Sequence, residues 1–333
     1  MDFALETGEL KGLVDALPEE VQQDTILHFM ISEAVKTSEI EGEFFSIQDI
    51  MSSIKKYLGL SNTVGNIRDK KSQGIASLMV EVRKSYPEIL TESLIKRWHH
   101  TLMSGNPYVN AGAYRISKEP MQIISGAIGR ETVHYEAPPA QKVPEEMKNF
   151  IKWHHTFEVS ATDIKNILIK TSIAHLYFES IHPFEDGNGR IGRAIAEKCL
   201  SQSFRRPVIM SLSSTIEKNR KQYYHALKLA QKTLNITDWI QYFSTVILES
   251  QKSTKQTLLF TLSKTKFIDQ HKSQMNERQI KAVLKMFDVG VSGFEGGMTA
   301  RKYVSITKVF QSDSHTGFTR LDRQKYFATK RKR

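Results

Sequence analysis

The chain has 333 residues, of which 40% are hydrophobic and 25% charged, and it carries a formal net charge of +11 at pH 7. This composition is that of an ordinary globular protein with room for two or three domains, and the single cysteine, Cys199, excludes a disulfide framework and is typical of a reducing compartment. The first residues lack the basic and apolar parts of a signal peptide, and no run of about 18 apolar residues follows, so we expect a soluble, cytoplasmic protein that does not enter a membrane.

The first third of the chain is predicted to be helical over residues 20–58. Apolar residues from Val21 to Ile40 recur at helical spacing on one broad face. Near the end of this helix comes the polar stretch Thr37-Ser38-Glu39-Ile40-Glu41-Gly42-Glu43. On its own, this stretch is typical of a polar helix end with Gly42 as the C-cap.

The middle of the chain is predicted to contain a short β-hairpin between helices. A helix over residues 92–100 leads into a turn-rich connection, and residues 114–116 and 121–124 are predicted to form two short strands. The flexible tip of the hairpin is predicted at Ser125, Gly126, Ala127 and Ile128. The pairs His99-His100 and His154-His155 have no further ligand at helical spacing, so neither pair predicts a metal site.

Residues 180–193 are predicted to form a tight loop between two buried helices, because apolar residues recur three or four apart on both sides. Gly187 and Gly189 lack a Cβ where backbone N–H groups must approach a ligand, and the following helix adds four unpaired donors. Arg190 and Arg193 lie three residues apart, so both guanidinium groups can reach the same anion. This stretch therefore predicts a polyphosphate site.

Two further side chains of the loop indicate its chemistry. Asp186 supplies the hard oxygen ligand that a Mg²⁺ ion shared with phosphates requires. His182 is the only nearby group that can accept a proton near neutral pH. A lone histidine beside a proline usually ends a helix, and Gly-Asn-Gly is usually a turn, but here all these groups converge within 12 residues. The sequence therefore predicts phosphate-directed group transfer with a histidine base.

The run His-Pro-Phe-x-Asp-Gly-Asn-Gly-Arg-x-x-Arg at residues 182–193 resembles the signature of the Fic family, with every position filled. Fic enzymes transfer a nucleoside monophosphate, usually AMP from ATP, to a protein hydroxyl. The resemblance implies a mostly helical bundle with a small β-hairpin flap, in which His182 deprotonates a target Ser, Thr or Tyr and Asp186 holds Mg²⁺. The residues that it implies for nucleotide binding are Phe184, Glu185, Asp186, Gly187, Asn188, Gly189, Arg190 and Arg193. Among these, the resemblance gives Phe184 the anchoring of the loop, Asn188 and the loop amides the α and β phosphates, and the two arginines the β and γ phosphates.

The resemblance also implies an inhibitory segment. Many Fic proteins carry a helix with Ser or Thr, three residues, then Glu and Gly or Asn, and Thr37, Glu41 and Gly42 match that pattern. A Glu41 carboxylate on Arg193 would take the guanidinium that should hold the γ-phosphate and would repel that phosphate. We therefore expect an autoinhibited enzyme.

The resemblance to the Fic family also implies functions for two further regions. Residues 114–135 are the candidate flap, which in the Fic fold pairs with the target segment through main-chain hydrogen bonds. Tyr224 and Gln231 are the candidates to border the adenine. Packing of Tyr223 and Tyr224 in the core explains the same pattern equally well.

The C-terminal part resembles, over residues 276–310, the start of a winged-helix module that some Fic proteins carry. Two helices are predicted, around 276–287 and 298–303, whereas the third helix and the wing look truncated or altered. From residue 301 to residue 333, 10 Lys or Arg against 2 Asp supply +8 of the net +11. Such a segment binds nucleic acid or a partner, or stays solvated, and sequence-specific DNA recognition is not expected from it.

These inferences combine into a domain prediction and a leading hypothesis. The domain prediction has a helical region over 1–100 with the inhibitory helix at about 25–45, a catalytic core over 101–260 and a winged-helix-like module with a basic tail over 261–333. The leading hypothesis is a Mg²⁺-dependent protein adenylyltransferase that uses ATP on an unidentified target protein. A homodimer contact that clamps the inhibitory helix is compatible with it.

Two alternatives stay open at this point. The same site could transfer UMP, GMP or phosphocholine, or remove AMP from a modified target with Glu41 activating water. The chain could instead be a DNA-binding regulator whose central domain senses a nucleotide, although a pure sensor needs no base such as His182. A P-loop or a dinucleotide-binding fold is excluded, because neither glycine pattern is present.

Overall fold

The structure of the protein is a computed structural model and describes residues 2–60, 69–117, 119–125, 132–287, 294 and 297–308. These residues are mostly helical and include one small sheet, which confirms the predicted helical fold, whereas the predicted C-terminal helix-turn-helix or winged-helix-like module stays a prediction. The helices are α1 (Asp2–Asp15), α2 (Glu19–Ile40), α3 (Ile47–Tyr57), α4 (Lys70–Lys84), α5 (Glu92–Met103), α6 (Val143–Thr156), α7 (Ile164–Ile181), α8 (Asn188–Ser203), α9 (Leu212–Lys218), α10 (Arg220–Ala230), α11 (Thr237–His271), α12 (Glu277–Phe287) and α13 (Ala300–Thr307). The strands are β1 (Gln122–Ser125) and β2 (Thr132–Glu136).

Polar side chains fix where many of these helices begin. Side chains that accept a hydrogen bond from a first-turn backbone N–H are those of Ser46, Asp69, Thr91, Asp163, Ser211 and Thr299. Each such cap stabilises its helix by about 1 kcal/mol. At the other end of α2, Gly42 has φ +81°, and Glu43 N donates to Ser38 O at 3.0 Å. A left-handed glycine of this kind ends a helix sharply, so the chain leaves the α2 axis directly after Glu41.

The helix pair α7 and α8 runs through the main core of the protein. Phe178, Phe184, Ile191 and Ile195 are fully buried. They pack with apolar side chains from α2, α4, α5 and α6, and a second cluster joins α7 and α8 to α9, α10 and α11. Full burial of a large apolar side chain contributes about 1.5–3 kcal/mol. The short connection between α7 and α8 is therefore held by packing on both sides.

The β-hairpin lies one strand later in the chain than the sequence predicted. Strands β1 and β2 pair antiparallel, with Ser125 opposite Thr132 and a register shift between Ile123 and Ile124. Residues 114–116, predicted to be the first strand, are irregular. The reason is tertiary, since Arg115 is buried against backbone carbonyls elsewhere while Ile116 is 80% exposed. The predicted tip residues Gly126, Ala127 and Ile128 lie outside the described residues.

The chain divides into two compact units. One contains residues 1–8 and 18–252, and the other contains residues 9–17 and the chain from Ser253 onward. The predicted domain boundaries at residues 100 and 260 stay a prediction.

The second unit has its own small core, built around Met275, Ala282, Val283, Met298 and Tyr303. Helix α11 continues to His271, and its last turns supply Phe267 and Ile268 to this core. The two helices predicted in this part are present as α12 and α13. The predicted third helix, the wing and the basic tail fall outside the described residues.

None of the described helices is long and apolar enough to cross a membrane.

Candidate active site

His182 is held in a left-handed conformation at the end of α7. Its φ is 49° and its backbone N–H donates to Phe178 O at 3.0 Å. The buried Arg115 donates through Nε to His182 O at 2.8 Å and through Nη2 to Ile181 O at 3.3 Å, and it also contacts Pro138 O. A non-glycine residue with this φ is uncommon and is kept only where the surroundings enforce it. Arg115 thus fixes the backbone from which the histidine side chain projects.

The His182 imidazole has a defined role for each nitrogen. Nδ1 lies 3.3 Å from Glu179 O, which can only accept a hydrogen bond, so Nδ1 carries the proton and Nε2 keeps its lone pair. Burial lowers the pKa of His182 to about 4, and the contact with Glu179 O opposes that shift. The imidazole is therefore neutral at pH 7. A neutral imidazole with a free Nε2 is competent to take a proton.

A buried carboxyl group lies behind this base. Glu179 Oε2 is 3.9 Å from His182 Nδ1, the Glu179 side chain is 4% exposed, and burial raises its pKa to about 8. Among the described residues, Glu179 Oε1 has no hydrogen-bond partner. A Cβ at position 192 would clash with this oxygen, so Gly192 leaves the space that the carboxyl group occupies.

The loop after His182 is stabilised by hydrogen bonds and packing within the core. Asn188 Oδ1 accepts from Phe184 N at 2.9 Å, and Asn188 Nδ2 donates to Phe184 O at 2.8 Å. Phe184 is fully buried and stacks on the His99 ring, with centroids 3.8 Å apart. His99 Nε2 lies 3.1 Å from Asp186 O, and Gly112 N donates to His99 Nδ1 at 2.8 Å. Because both polar ends of the Asn188 side chain are used within the loop, a phosphate contact from Asn188 would come from its backbone N–H.

The start of α8 has the elements of an anion site. Gly187 has φ +81° and precedes the first helical residue, Asn188, so the first N–H groups of α8 have no carbonyl partner within the helix. Asp186 Oδ1 accepts from Gly187 N at 2.5 Å and from Arg190 Nη2 at 3.3 Å, and the side chain is 50% exposed. These amides and the positive end of the helix dipole favour a bound anion.

Arg193 is paired with the segment that the sequence predicted to be inhibitory. Its Nε donates to Thr37 Oγ1 at 2.7 Å, and its Nη2 donates to Thr37 O at 3.0 Å and to Glu41 Oε1 at 2.7 Å. The guanidinium is 2% exposed. Burial acts to lower the pKa of Arg193, but the Glu41 carboxylate together with Tyr223 and Tyr224 outweighs burial, and the pKa is raised. A Cβ at position 189 would clash with the Glu41 carboxylate, so Gly189 permits this approach.

Arg190 is paired with a second carboxylate from the same segment. Its Nη1 donates to Glu43 Oε2 at 2.5 Å, and Glu43 Oε1 lies 3.0 Å from Lys71 Nζ at the start of α4. Both arginines of the loop are thus engaged by carboxylates that flank Gly42.

The remaining candidates lie around this centre. Tyr224, 36% exposed, places its hydroxyl 3.5 Å from Ile40 O, and Gln231 Nε2 lies 3.4 Å from Glu179 O. Glu185 is exposed and accepts from Asn110 N at 3.5 Å. The predicted tip residue Ser125 is the last residue of β1.

Four residues that sequence reasoning missed contact the loop or its side chains, namely His99, Arg115, Glu179 and Glu43. Glu43 and Glu179 carried a usable signal, since each lies within three residues of a predicted site residue. Arg115 and His99 carried none, because they reach the loop only through tertiary contacts. The sequence singles out His99 only as a possible metal ligand, whereas its ring supports the loop.

The fold and this loop define the class of the protein: a helical bundle that presents an anion-binding helix start next to a histidine. Residues 89–200 match the Fic/DOC family, and residues 1–60 match a domain of unknown function, DUF4172. The chain therefore carries a Fic/DOC family domain.

Relatives with this domain bear names that describe an activity. The chain is 29% identical over 153 residues to a "probable protein adenylyltransferase" from Aquifex aeolicus, which covers 45% of this chain and 41% of that protein. It is 34% identical over 86 residues to "protein adenylyltransferase Fic" from Drosophila erecta, which covers 26% of this chain and 16% of that protein. The chain thus spans less than half of the length of these relatives.

A solved structure has the same fold. A Fic domain containing signaling protein from Bacteroides thetaiotaomicron superposes with a TM-score of 0.59 at 20% identity, over 78% of this chain and 97% of that chain. At this identity the likeness shows the fold alone.

Proposed function

We propose that the protein is an autoinhibited protein adenylyltransferase, which transfers AMP from ATP to a Ser, Thr or Tyr hydroxyl of a target protein. The observation that supports this most directly is the ion pair between Arg193 and Glu41, which joins a complete Fic signature to an inhibitory segment. The names of the relatives support AMP transfer as the general activity.

The reaction follows from the groups in the loop. His182 Nε2 takes the proton of the target hydroxyl while the hydroxyl oxygen attacks the α-phosphorus. The bond from the α-phosphorus to the bridging oxygen breaks, and pyrophosphate leaves with the electron pair. The first amides of α8 and the two arginines, once free of their carboxylates, offset the charge that moves to the leaving group.

Asp186 is the residue that would hold Mg²⁺. Only its Oδ1 accepts the two hydrogen bonds described above, and half of the side chain is exposed. Among the described residues, no group of three or more His, Cys, Asp or Glu could hold a metal ion. One carboxylate fits an ion whose other ligands are phosphate oxygens and water, and such an ion would neutralise phosphate charge.

Inhibition follows from occupancy of Arg193. With Thr37 and Glu41 on the guanidinium, the triphosphate meets a carboxylate where it needs a cation. A displacement of the reacting phosphate by about 1 Å can lower the rate by about 10²-fold. We therefore expect the wild-type protein to transfer AMP slowly or not at all.

The test is transfer of label from α-³²P-ATP to protein by the wild type, Glu41→Gly, and Glu41→Gly combined with His182→Ala. We expect labelling to increase about 10²-fold in Glu41→Gly and to be lost again in the double variant. Glu39→Gln is a matched control, because it removes a carboxylate that pairs with Lys36 and leaves the arginines untouched. Equal labelling by wild type and Glu41→Gly would contradict autoinhibition, and no label in any variant would contradict AMP transfer from ATP.

A further inference from the structure

Glu43 engages the arginine that Glu41 leaves free. Arg190 is 5% exposed, and its Nη1 donates to Glu43 Oε2 at 2.5 Å. Ion pairs between exposed side chains contribute little, but this guanidinium is withdrawn from water, and a charged hydrogen bond to a buried group is among the stronger polar interactions. The Glu43 carboxylate is therefore a specific partner of Arg190.

The position of Glu43 is fixed by its surroundings. Its backbone N–H donates to Ser38 O at 3.0 Å, in the same turn that places Glu41. Its second carboxylate oxygen is 3.0 Å from Lys71 Nζ. The side chain is 22% exposed, so it is mostly covered. Backbone and side chain thus both direct this carboxylate toward Arg190.

The two contacts together determine the charge of the anion site. The side chains of Arg190 and Arg193 contribute two positive charges, and Glu41 and Glu43 contribute two negative ones. Asp186, 3.3 Å from Arg190, and Lys71, 3.0 Å from Glu43, add one charge of each sign, so the paired side chains sum to zero. A nucleotide with three phosphates needs positive charge that one with a single phosphate does not. Removing Glu41 leaves Arg193 with Thr37 as its partner, and removing Glu43 leaves Arg190 with Asp186, at 3.3 Å and half exposed, as its remaining carboxylate.

We propose that Glu43 is a second inhibitory carboxylate, which holds Arg190 as Glu41 holds Arg193, and that the two together set how many phosphates of a nucleotide the site accepts. This inference rests on the proposed function only in taking the loop to be a nucleotide site. If only Glu41 leaves Arg193, the charge of Arg190 is still neutralised by Glu43. Full affinity for ATP requires that Glu43 leaves Arg190 as well.

The test is calorimetric binding of AMP, ADP and ATP, each with Mg²⁺, to the wild type, Glu43→Gln, Glu41→Gly and the double variant. Glutamine keeps the shape of the side chain and removes its charge. We expect Glu43→Gln to bind ADP and ATP about tenfold more tightly than the wild type and to leave AMP affinity unchanged. The double variant is expected to bind ATP more tightly than either single variant.

Glu39→Gln is again the matched control, since it removes one negative charge from the same helix end without contacting either arginine. Equal ATP affinity in Glu43→Gln and Glu39→Gln would overturn the proposal. An equal gain for AMP, ADP and ATP would also overturn it, because the gain would then be a general charge effect. If Glu43→Gln gains affinity but no variant transfers label, the proposed function fails while the role of Glu43 stands.

Discussion

At the scale of single residues, His99 shows how one neutral ring supports the loop over residues 182–193. Gly112 N donates to Nδ1, so the proton of the ring is on Nε2, which donates to Asp186 O. Burial lowers the pKa of His99 to about 4 and keeps this tautomer neutral. The ring also stacks on Phe184 with the two planes only 3° apart. His99 therefore fixes both the backbone of Asp186 and the aromatic anchor of the loop.

We predict that His99→Leu lowers the free energy of unfolding by about 3 kcal/mol. The substitution removes two partly buried hydrogen bonds, from Gly112 N–H and to Asp186 C=O, at about 1 kcal/mol each, and it also removes the ring that stacks on Phe184. The measurement is urea unfolding followed by tryptophan fluorescence, because Trp98, Trp153 and Trp239 all lie in the first unit.

His100→Leu is the control for this prediction. His100 is the exposed neighbour of His99 on α5, and we expect its substitution to change stability by less than about 1 kcal/mol. Equal effects of the two substitutions would show that the His99 contacts do not stabilise the loop.

At the scale of elements, one face of α2 both anchors the helix and carries Thr37 and Glu41, the groups proposed to be inhibitory. Glu33, Thr37 and Glu41 lie four residues apart, so they share one side of the helix. Glu33 accepts from Ser211 Oγ at 2.7 Å and from Ser213 N at 3.0 Å at the start of α9, and it also contacts Ser213 Oγ. The anchor at Glu33 therefore sets the position from which Thr37 and Glu41 reach Arg193.

We predict that Glu33→Ala loosens α2 and partly relieves the proposed inhibition. Two serine hydroxyls and one backbone N–H lose their acceptor, so stability falls by about 2 kcal/mol. Hydrogen exchange of the α2 amides is expected to speed up, and label transfer is expected to rise, by less than in Glu41→Gly. Asp24→Ala, an exposed change on the same helix, should alter neither quantity, and unchanged α2 exchange in Glu33→Ala would contradict the anchoring role.

The sequence predicted the loop but not the side-chain pairs that engage it, because the members of those pairs lie far apart in the chain. The loop over 182–193 was recognisable because its functional groups are close together in the chain. The pairing of Arg190 with Glu43 joins residues 147 positions apart, which no local pattern encodes.

At residues 114–116 the sequence predicted a short strand that the structure does not contain. Instead, burial of Arg115 against the carbonyls of Ile181 and His182 decides the backbone there. Tertiary contacts override such short patterns.

At the scale of the whole molecule, burial shifts the pKa values of two sets of groups in opposite senses. Burial lowers the pKa values of four histidines to about 3 or 4, namely His99, His154, His175 and His182. Burial raises the pKa values of two carboxyl groups to about 8, namely Glu179 and Glu197. All six groups lie in the first unit.

Because of these pKa shifts, the protein loses stability both at acidic pH and at alkaline pH. Below the ordinary histidine pKa of 6.5, these histidines bind protons in the unfolded chain but stay neutral in the folded protein. The free energy of unfolding therefore decreases as pH falls toward their folded pKa values near 4. The two carboxyl groups stay protonated when folded but ionise in the unfolded chain above 4.5, so their contribution is lost as pH rises toward 8. Four histidines outweigh two carboxyl groups below pH 6.5, and the carboxyl groups dominate above it.

We therefore predict that stability is greatest near pH 6.5 and falls by about 2 kcal/mol at both pH 5 and pH 8. The measurement is the urea midpoint of tryptophan fluorescence at the three pH values. A glutamine at position 179 cannot ionise, so Glu179→Gln should lose most of the fall between pH 6.5 and pH 8, because the one remaining carboxyl group is then offset by the histidines. The fall toward pH 5 should become steeper, because Glu179 no longer opposes the histidines there. If Glu179→Gln retained the full alkaline fall, the carboxyl group behind His182 would not be protonated in the folded protein, and the charge assigned to this part of the site would be wrong.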